Sequence, residues 1–208
     1  MNIYLGFAVY NRMVDIEIVT AIAQMIAKGN HTYGIDFVSG PYIAENRNRL
    51  AKRFLEHKDY EWLFFWDTDV AVKDYEFIDK LLETSQKLGA KVVSGCYRLK
   101  SNEDKYPITV DMTEENGVKY FKNLTSQELK EPMEVRTTAT GLMLIHRSVL
   151  EKVETPWFTV IDYPTIGDIL PDDFYFCLKA KDAGFKIAID PRIATWHSAW
   201  AFWPHVPK

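Results

Sequence analysis

A chain of 208 residues, 47% hydrophobic and 26% charged, is long enough to bury a full core and suits one domain. Its formal net charge of -4 and its lack of a Lys/Arg-rich block exclude general nucleic-acid binding, which rests on phosphate neutralisation by an extended basic surface. The densest apolar run, 62–66, is far shorter than the roughly 20 residues that cross a bilayer, which excludes an integral membrane protein and leaves only peripheral membrane contact open.

The chain opens MNIYLGFAVYNR, with neither a basic stretch nor a long apolar stretch of the secretory kind. Its two cysteines, Cys96 and Cys177, stand far apart, so free thiols in a reducing, cytoplasmic setting are expected. Two glycosylation-like triplets, Asn30-His31-Thr32 and Asn123-Leu124-Thr125, then read as unused.

In chain order, 2–9 reads as a strand and 14–28 as a helix, with Ile18, Ala21, Ile22 and Met25 at helical spacing and Gly29-Asn30 as its stop. Strands at 33–38, 62–66 and 91–95 alternate with helices at 44–57 and 75–88. That alternation predicts βα units around a mainly parallel sheet, a nucleotide-binding outline. Beyond Tyr97 the pattern changes to strands of mixed direction at 107–111, 118–121 and 133–145, separated by polar turns such as Glu114-Glu115-Asn116-Gly117. A helix at 172–183 closed by Gly184, a strand at 186–189 and an aromatic tail from Trp196 to Trp203 complete the chain. The prediction is a single α/β domain over 1–208, with a nucleotide-binding half at 1–97 and a mixed-strand half at 98–208.

The most informative string is Glu61-Trp62-Leu63-Phe64-Phe65-Trp66-Asp67-Thr68-Asp69, an apolar strand running into two carboxylates. Side chains alternate along a strand, so Asp67 and Asp69 point the same way if the extended geometry persists. Two hard oxygen ligands at the carboxyl edge of a parallel strand suit Mg²⁺ or Mn²⁺. Solvated turn aspartates give the same triplet, so the motif gains weight only from its position and from the residues downstream of it. Pro171-Asp172-Asp173-Phe174 opens a helix with an acidic pair. Capping and the helix dipole account for one carboxylate there, and a second exceeds what capping requires. An acceptor hydroxyl needs a base within hydrogen-bond reach, and Asp173 is the first candidate, Asp172 the second. His197, between Trp196 and Ser198, reads either as a packed histidine or as an imidazole ligand that tilts the site toward Mn²⁺.

Taken in order, Ala8-Val9-Tyr10-Asn11-Arg12, Arg47-Asn48-Arg49-Leu50, Leu63 to Asp69, Thr140-Gly141-Leu142-Met143-Leu144-Ile145-His146-Arg147 and Asp172-Asp173-Phe174-Tyr175-Phe176-Cys177-Leu178-Lys179-Ala180 resemble the GT-A glycosyltransferases, especially family 2-like members. The resemblance covers most of the chain. It implies that Asp67 contacts ribose or metal, that Asp69 ligates a metal bridging the donor diphosphate, and that His197 is a late third ligand. Ala8, Tyr10 and Arg12 would border the base with Arg47 nearby, Thr68 belongs with these donor-binding residues, and uridine is the preferred base. The acidic pair is Asp-Asp where many relatives have Glu-Asp, and the Gln-x-x-Arg-Trp motif of processive synthases is missing. The reading is therefore metal-dependent, non-processive, inverting transfer of one sugar from a UDP-sugar to an acceptor of unspecified kind, glycan, glycoprotein or small molecule. Tail residues Trp196, Trp200 and Trp203 stack on a sugar ring, belong to the core or form a subunit contact. Two other readings stand beside it. Haloacid-dehalogenase-like phosphatases also place Asp-x-Asp after an apolar strand, though near the chain start and without Val70-Ala71 following; a non-catalytic nucleotide-sugar binder would keep the donor site without turnover.

Overall fold

The computed structural model describes residues 1–9, 13–101, 103–115, 118–163, 168–198 and 202–205. In order these form β1 (Asn2–Val9), α1 (Ile16–Lys28), β2 (Thr32–Ser39), α2 (Ile43–Glu56), β3 (Trp62–Trp66), β4 (Val70–Val72), α3 (Phe77–Leu88) and β5 (Val92–Gly95). The second half contributes β6 (Ile108–Glu115), β7 (Val118–Asn123), β8 (Met133–Val135), β9 (Thr137–Thr138), β10 (Leu142–His146), α4 (Arg147–Lys152), β11 (Ile161–Tyr163) and β12 (Asp168–Leu170). It ends with α5 (Asp172–Asp182), β13 (Ile187–Asp190), β14 (Thr195–Ser198) and β15 (Phe202–His205).

Seven strands form the central sheet in the order β2-β1-β3-β10-β5-β13-β8. β2, β1 and β3 are parallel, as are β5 and β13, while β10 and β8 run against their neighbours. Side-chain alternation sorts every core strand between two layers. Tyr4, Leu63, Phe65, Met143, Ile145 and Val92 face α2, α4 and α5, through Leu50, Phe54, Val149 and Phe176. Ile3, Leu5, Phe7, Phe64, Trp66, Leu144 and Val93 face α1 and α3, through Ile18, Met25, Phe77 and Leu81. Each of these large apolar side chains that is fully buried contributes about 1.5–3 kcal/mol relative to exposure. The expected α/β architecture is therefore present, a mainly parallel sheet flanked by helices with smaller antiparallel sheets beside it, consistent with a GT-A-like fold.

Helix α1 ends where expected, because Gly29 takes a left-handed φ of 70° and its N–H closes on the Ile26 carbonyl. Arg147, at the end of the Gly-Leu-Met-Leu-Ile-His-Arg string, donates to the carbonyls of Phe54, Leu55 and His57. A guanidinium thus gathers the carbonyls at the end of α2 and complements its dipole.

Three expectations are corrected. The span 133–145 is not one strand: β8 pairs with β13, β9 with β6, and β10 with both β3 and β5, so the chain changes sheet twice. As a result a strand of the second half lies in the middle of the sheet, and the two halves share one layer. Asp67 to Val70 is a turn, with the Val70 N–H on the Asp67 carbonyl at 3.1 Å, so the extended geometry assumed for the two carboxylates does not persist. The aromatic tail forms β14 and β15, and β14 pairs with β4.

Where β10 begins, Gly141 faces Tyr97. Its N–H donates to the Tyr97 hydroxyl at 3.0 Å, and a Cβ placed on it would lie 2.6 Å from both Cζ and Oη of that buried ring. Gly141→Ala should therefore cost about 1–3 kcal/mol by overpacking. Urea denaturation measures this, and an unchanged midpoint would contradict the assigned contact.

Candidate functional site

The parallel strands β1, β3 and β5 end on one edge of the sheet, where loops of an α/β fold gather ligands. The Asp67-Thr68-Asp69 turn leaves β3 there and is held from four directions. Asp67 N–H donates to the Gly141 carbonyl at 3.0 Å, and Asp15 N–H to the Thr68 carbonyl at 3.1 Å. Ser198 N–H donates to the Asp69 carbonyl at 2.7 Å, while the Trp66 indole N–H spans the turn to the Val70 carbonyl at 2.7 Å. Ser198 Oγ also donates to Asp15 Oδ2 at 2.7 Å, which links the start of α1 to β14.

Arg47 lies in the early part of α2, 6% exposed. Its Nη1 donates to Asp172 Oδ2 at 2.8 Å and its Nη2 to both Asp67 oxygens at 3.2 and 3.4 Å. Burial works against its charge, but Asp67, Asp172 and Asp173 outweigh burial and push its pKa up. The Asp67 carboxyl is itself raised, by burial first and by the Asp69 charge, with Arg47 opposing. Within Arg47-Asn48-Arg49 the three side chains diverge. Asn48 Oδ1 accepts the N–H groups of Trp157 and Phe158, both at 3.0 Å, and Arg49 pairs with Glu45 on the exposed side.

Asp69 turns to other partners. Lys100 Nζ pairs with Asp69 Oδ2, and His197 Nε2 faces the same oxygen at 3.8 Å. His197 Nδ1 lies 2.8 Å from the Arg98 carbonyl, which only accepts, so Nδ1 carries a proton and Nε2 is the ring nitrogen turned to Asp69. Tyr97 packs edge-on against that ring at 5.1 Å. Burial alone would raise the Asp69 pKa, yet His197 and Lys100 overcome it and bring the carboxyl down to about 2.

The acidic pair opens α5 as expected. Asp172 is bound to Arg47, whereas Asp173 accepts the Phe174 N–H at 2.8 Å and lines a cleft of about 430 Å³. Leu99, Pro107, Tyr120, Phe121, Asn123, Ile169, Pro171 and Phe174 form the rest of its wall. Burial drives the Asp173 pKa up to about 7; the Asp172 and Asp67 charges add to the rise and Arg47 opposes it. A carboxyl poised there suits proton transfer near neutrality.

Of the residues singled out from sequence, the structure therefore gathers Arg47, Asp67, Asp172 and Asp173 in one electrostatic group and Asp69 and His197 in another, joined by the turn at Thr68. Ala8 is buried in the core near the end of β1, and Tyr10 and Arg12 lie outside the described residues, as does Trp200. Trp196 carries Lys73 over its ring at 4.5 Å. The expected three-ligand metal set is not assembled: among the described residues no three His, Cys, Asp or Glu side chains are gathered as ligands, and both Asp67 oxygens face Arg47. Asp69 and His197 still fit a divalent cation, since a carboxylate oxygen and an imidazole nitrogen face each other. Donors with bonds of roughly 2.0–2.2 Å to one ion can lie that far apart. Lys100, Asp15, Ser198 and Tyr97 were missed from sequence, and no motif marks them.

Removing the central cation tests this arrangement. Arg47→Met strands two buried carboxylates and should destabilise the fold by about 3–5 kcal/mol at pH 7. Without Arg47 the folded-state carboxyl pKa values rise further, so the loss should be largest above the ordinary carboxylate range and shrink as the pH falls into it. Guanidinium denaturation at pH 7 and pH 4.5 reads this; an equal loss at both values would mean that packing, and not charge, is what Arg47 supplies.

No family model and no curated protein matches the chain. Among solved structures, A197 from STIV is similar over 95% of this chain and 85% of its own, at 22% identity and a TM-score of 0.66. A glycosyltransferase involved in the glycosylation of the major capsid of PBCV-1 aligns with 76% of this chain and 69% of its own at 10% identity, with a TM-score of 0.42. S. aureus TarS 1-349 in complex with UDP-GlcNAc aligns with 91% of this chain and 56% of its own at 12% identity, with a TM-score of 0.49. At such identities the likeness is one of fold, and the A197 match carries it.

Proposed function

We propose that this chain is a metal-dependent glycosyltransferase that moves one sugar from a UDP-sugar to an acceptor hydroxyl with inversion. The observation that carries the reading is the meeting of Asp69 Oδ2 and His197 Nε2 on the sheet edge, in the same electrostatic neighbourhood as an Asp173 that lines an aromatic cleft. Asp69 and His197 would hold Mn²⁺ or Mg²⁺, with Asp67 behind them. Two protein ligands completed by substrate phosphates are the usual manner of such ions in nucleotide sites. When bound, the ion neutralises charge on the departing nucleotide diphosphate.

The protein's own part follows from its carboxylates. Asp172 is committed to Arg47, so the general base is Asp173. It takes the acceptor hydroxyl's proton as that oxygen attacks the anomeric carbon, and the bond to the diphosphate oxygen breaks on the opposite face. Tyr120, Phe121 and Phe174 offer aromatic faces to an acceptor entering beside it, with Phe121 and Phe174 edge-to-face at 5.2 Å. Arg47 keeps Asp67 and Asp172 compatible at one edge and bears on Asp173 through its charge. Asp67 is no free nucleophile, since both its oxygens face Arg47, which removes the main support for a phosphatase of the haloacid-dehalogenase kind.

Calorimetric titration with UDP, GDP and dTDP, with and without Mn²⁺, selects the donor class. Mn²⁺-dependent binding of UDP that Asp69→Ala abolishes is expected, and no metal-dependent binding of any of the three would sink the reading. Given turnover, Asp173→Asn should lower kcat by about 100- to 10,000-fold with binding of UDP unchanged. In the wild type kcat/KM should rise with pH and level off above about 7, because the base works only when deprotonated. The same raised carboxyl costs folding stability above its unfolded pKa, so Asp173→Asn should be at least as stable as wild type at pH 8, an advantage that fades toward pH 4. A product of retained anomeric configuration by NMR would remove Asp173 from the role of base in a single displacement.

A further inference from the structure

The segment after β5 turns back over the Asp67-Thr68-Asp69 turn and delivers a cation to it. Its two ends are pinned: the Arg98 carbonyl accepts from His197 Nδ1 at 2.8 Å, and Leu99 N–H donates to the Lys105 carbonyl at 3.0 Å. Between these anchors Lys100 reaches down to Asp69 Oδ2, with its side chain 36% exposed. That oxygen is the one His197 Nε2 faces at 3.8 Å. The ammonium of Lys100 and any divalent cation held by Asp69 and His197 therefore need the same lone pairs, and two cations repel each other there.

We propose that Lys100 is a ligand of the donor diphosphate, kept beside the site by Asp69 and handed over when a divalent cation takes Asp69 Oδ2; this rests on the glycosyltransferase reading above. The chemistry fits the side chain. An ammonium on a flexible four-carbon stem is a mobile point charge, suited to following phosphate oxygens without a fixed geometry. Because its backbone is anchored on both sides, the displaced ammonium remains within a side chain's length of Asp69, where it would reach a diphosphate bound beside that carboxylate. Asp67 and Asp172 already have Arg47, so Asp69 is the carboxylate in the group whose partner is exchangeable. Lys100 thereby lowers the affinity for the cation alone and raises the affinity for cation and nucleotide together, which couples the two binding events.

The test separates these two effects in sign. Mn²⁺ alone, followed by electron paramagnetic resonance, should bind Lys100→Ala about tenfold tighter than wild type, whereas UDP at saturating Mn²⁺, followed by calorimetry, should bind it about tenfold weaker or worse. Lys100→Arg should retain most of the UDP affinity. Mn²⁺ affinity unchanged or weakened in Lys100→Ala, or UDP affinity unchanged, overturns the handover while leaving the metal site intact, provided Asp69→Ala still abolishes Mn²⁺ binding. Absence of Mn²⁺ binding in wild type and Lys100→Ala alike overturns the metal site itself, and the handover with it.

Discussion

Everything at the carboxyl edge of the sheet depends on one buried guanidinium. Asp67, Asp172 and Asp173 are drawn to one place by different elements, and without Arg47 their mutual repulsion in a poorly solvated edge would force them apart or force them neutral. Arg47 solves this with a planar fork: one nitrogen for the turn after β3, the other for the first turn of α5. A lysine could not reach both in this way, because its single ammonium lacks the fork. The guanidinium therefore ties the turn after β3 directly to the first turn of α5.

The turn itself is held mainly by backbone, which explains why so little of its support is visible in the sequence. Its carbonyls at Asp67, Thr68 and Asp69 accept from Val70, Asp15 and Ser198, and any residue but proline supplies an N–H for such bonds. Composition carries no trace of them. Trp66 is the exception, because an indole N–H buried at the end of a strand must find an acceptor, and it finds the Val70 carbonyl across the turn.

The order of elements was legible because hydrophobic period reports it directly. Residues 2–9 and 62–66 matched their strands, and the helices α1, α2, α3 and α5 fell within a few residues of expectation. The span 133–145 failed for a reason that pattern cannot register: its apolar residues are buried in different sheets, and nothing in a continuous run says where the chain changes partner. The short strand β4 and helix α4 were lost for the same reason, being defined by what they pack on. At the site, residue types that announce themselves by charge were found, Arg47, Asp67, Asp69, Asp172, Asp173 and His197, but the pairing among them was not. Arg47 was set beside a nucleotide base by resemblance, and it is the counter-ion of two carboxylates. Lys100 was missed because an exposed lysine on a polar segment has no distinguishing spacing.

The two acidic pairs turn out to be built on the same plan. In each, one carboxylate is given to Arg47 and the other is not: Asp67 and Asp172 pair with the guanidinium, while Asp69 pairs with Lys100 and Asp173 lines the cleft. Their environments then move the latter two carboxyls in opposite directions. Burial opposes charge at both, but at Asp69 the partners His197 and Lys100 win and bring the carboxyl down to about 2, so it is an anion at neutral pH. At Asp173 Arg47 is the opposing cation, it is already shared with Asp67 and Asp172, and burial wins, so the carboxyl rises to about 7 and exchanges its proton near neutrality. An anion suits a cation, and an exchangeable proton suits acid–base work. A solvated turn would leave an aspartate near the ordinary carboxylate range and a capping bond would lower it, so neither accounts for the rise at Asp173. The physical asymmetry between Asp69 and Asp173, more than the presence of four aspartates, is what the proposed transfer onto a hydroxyl rests on.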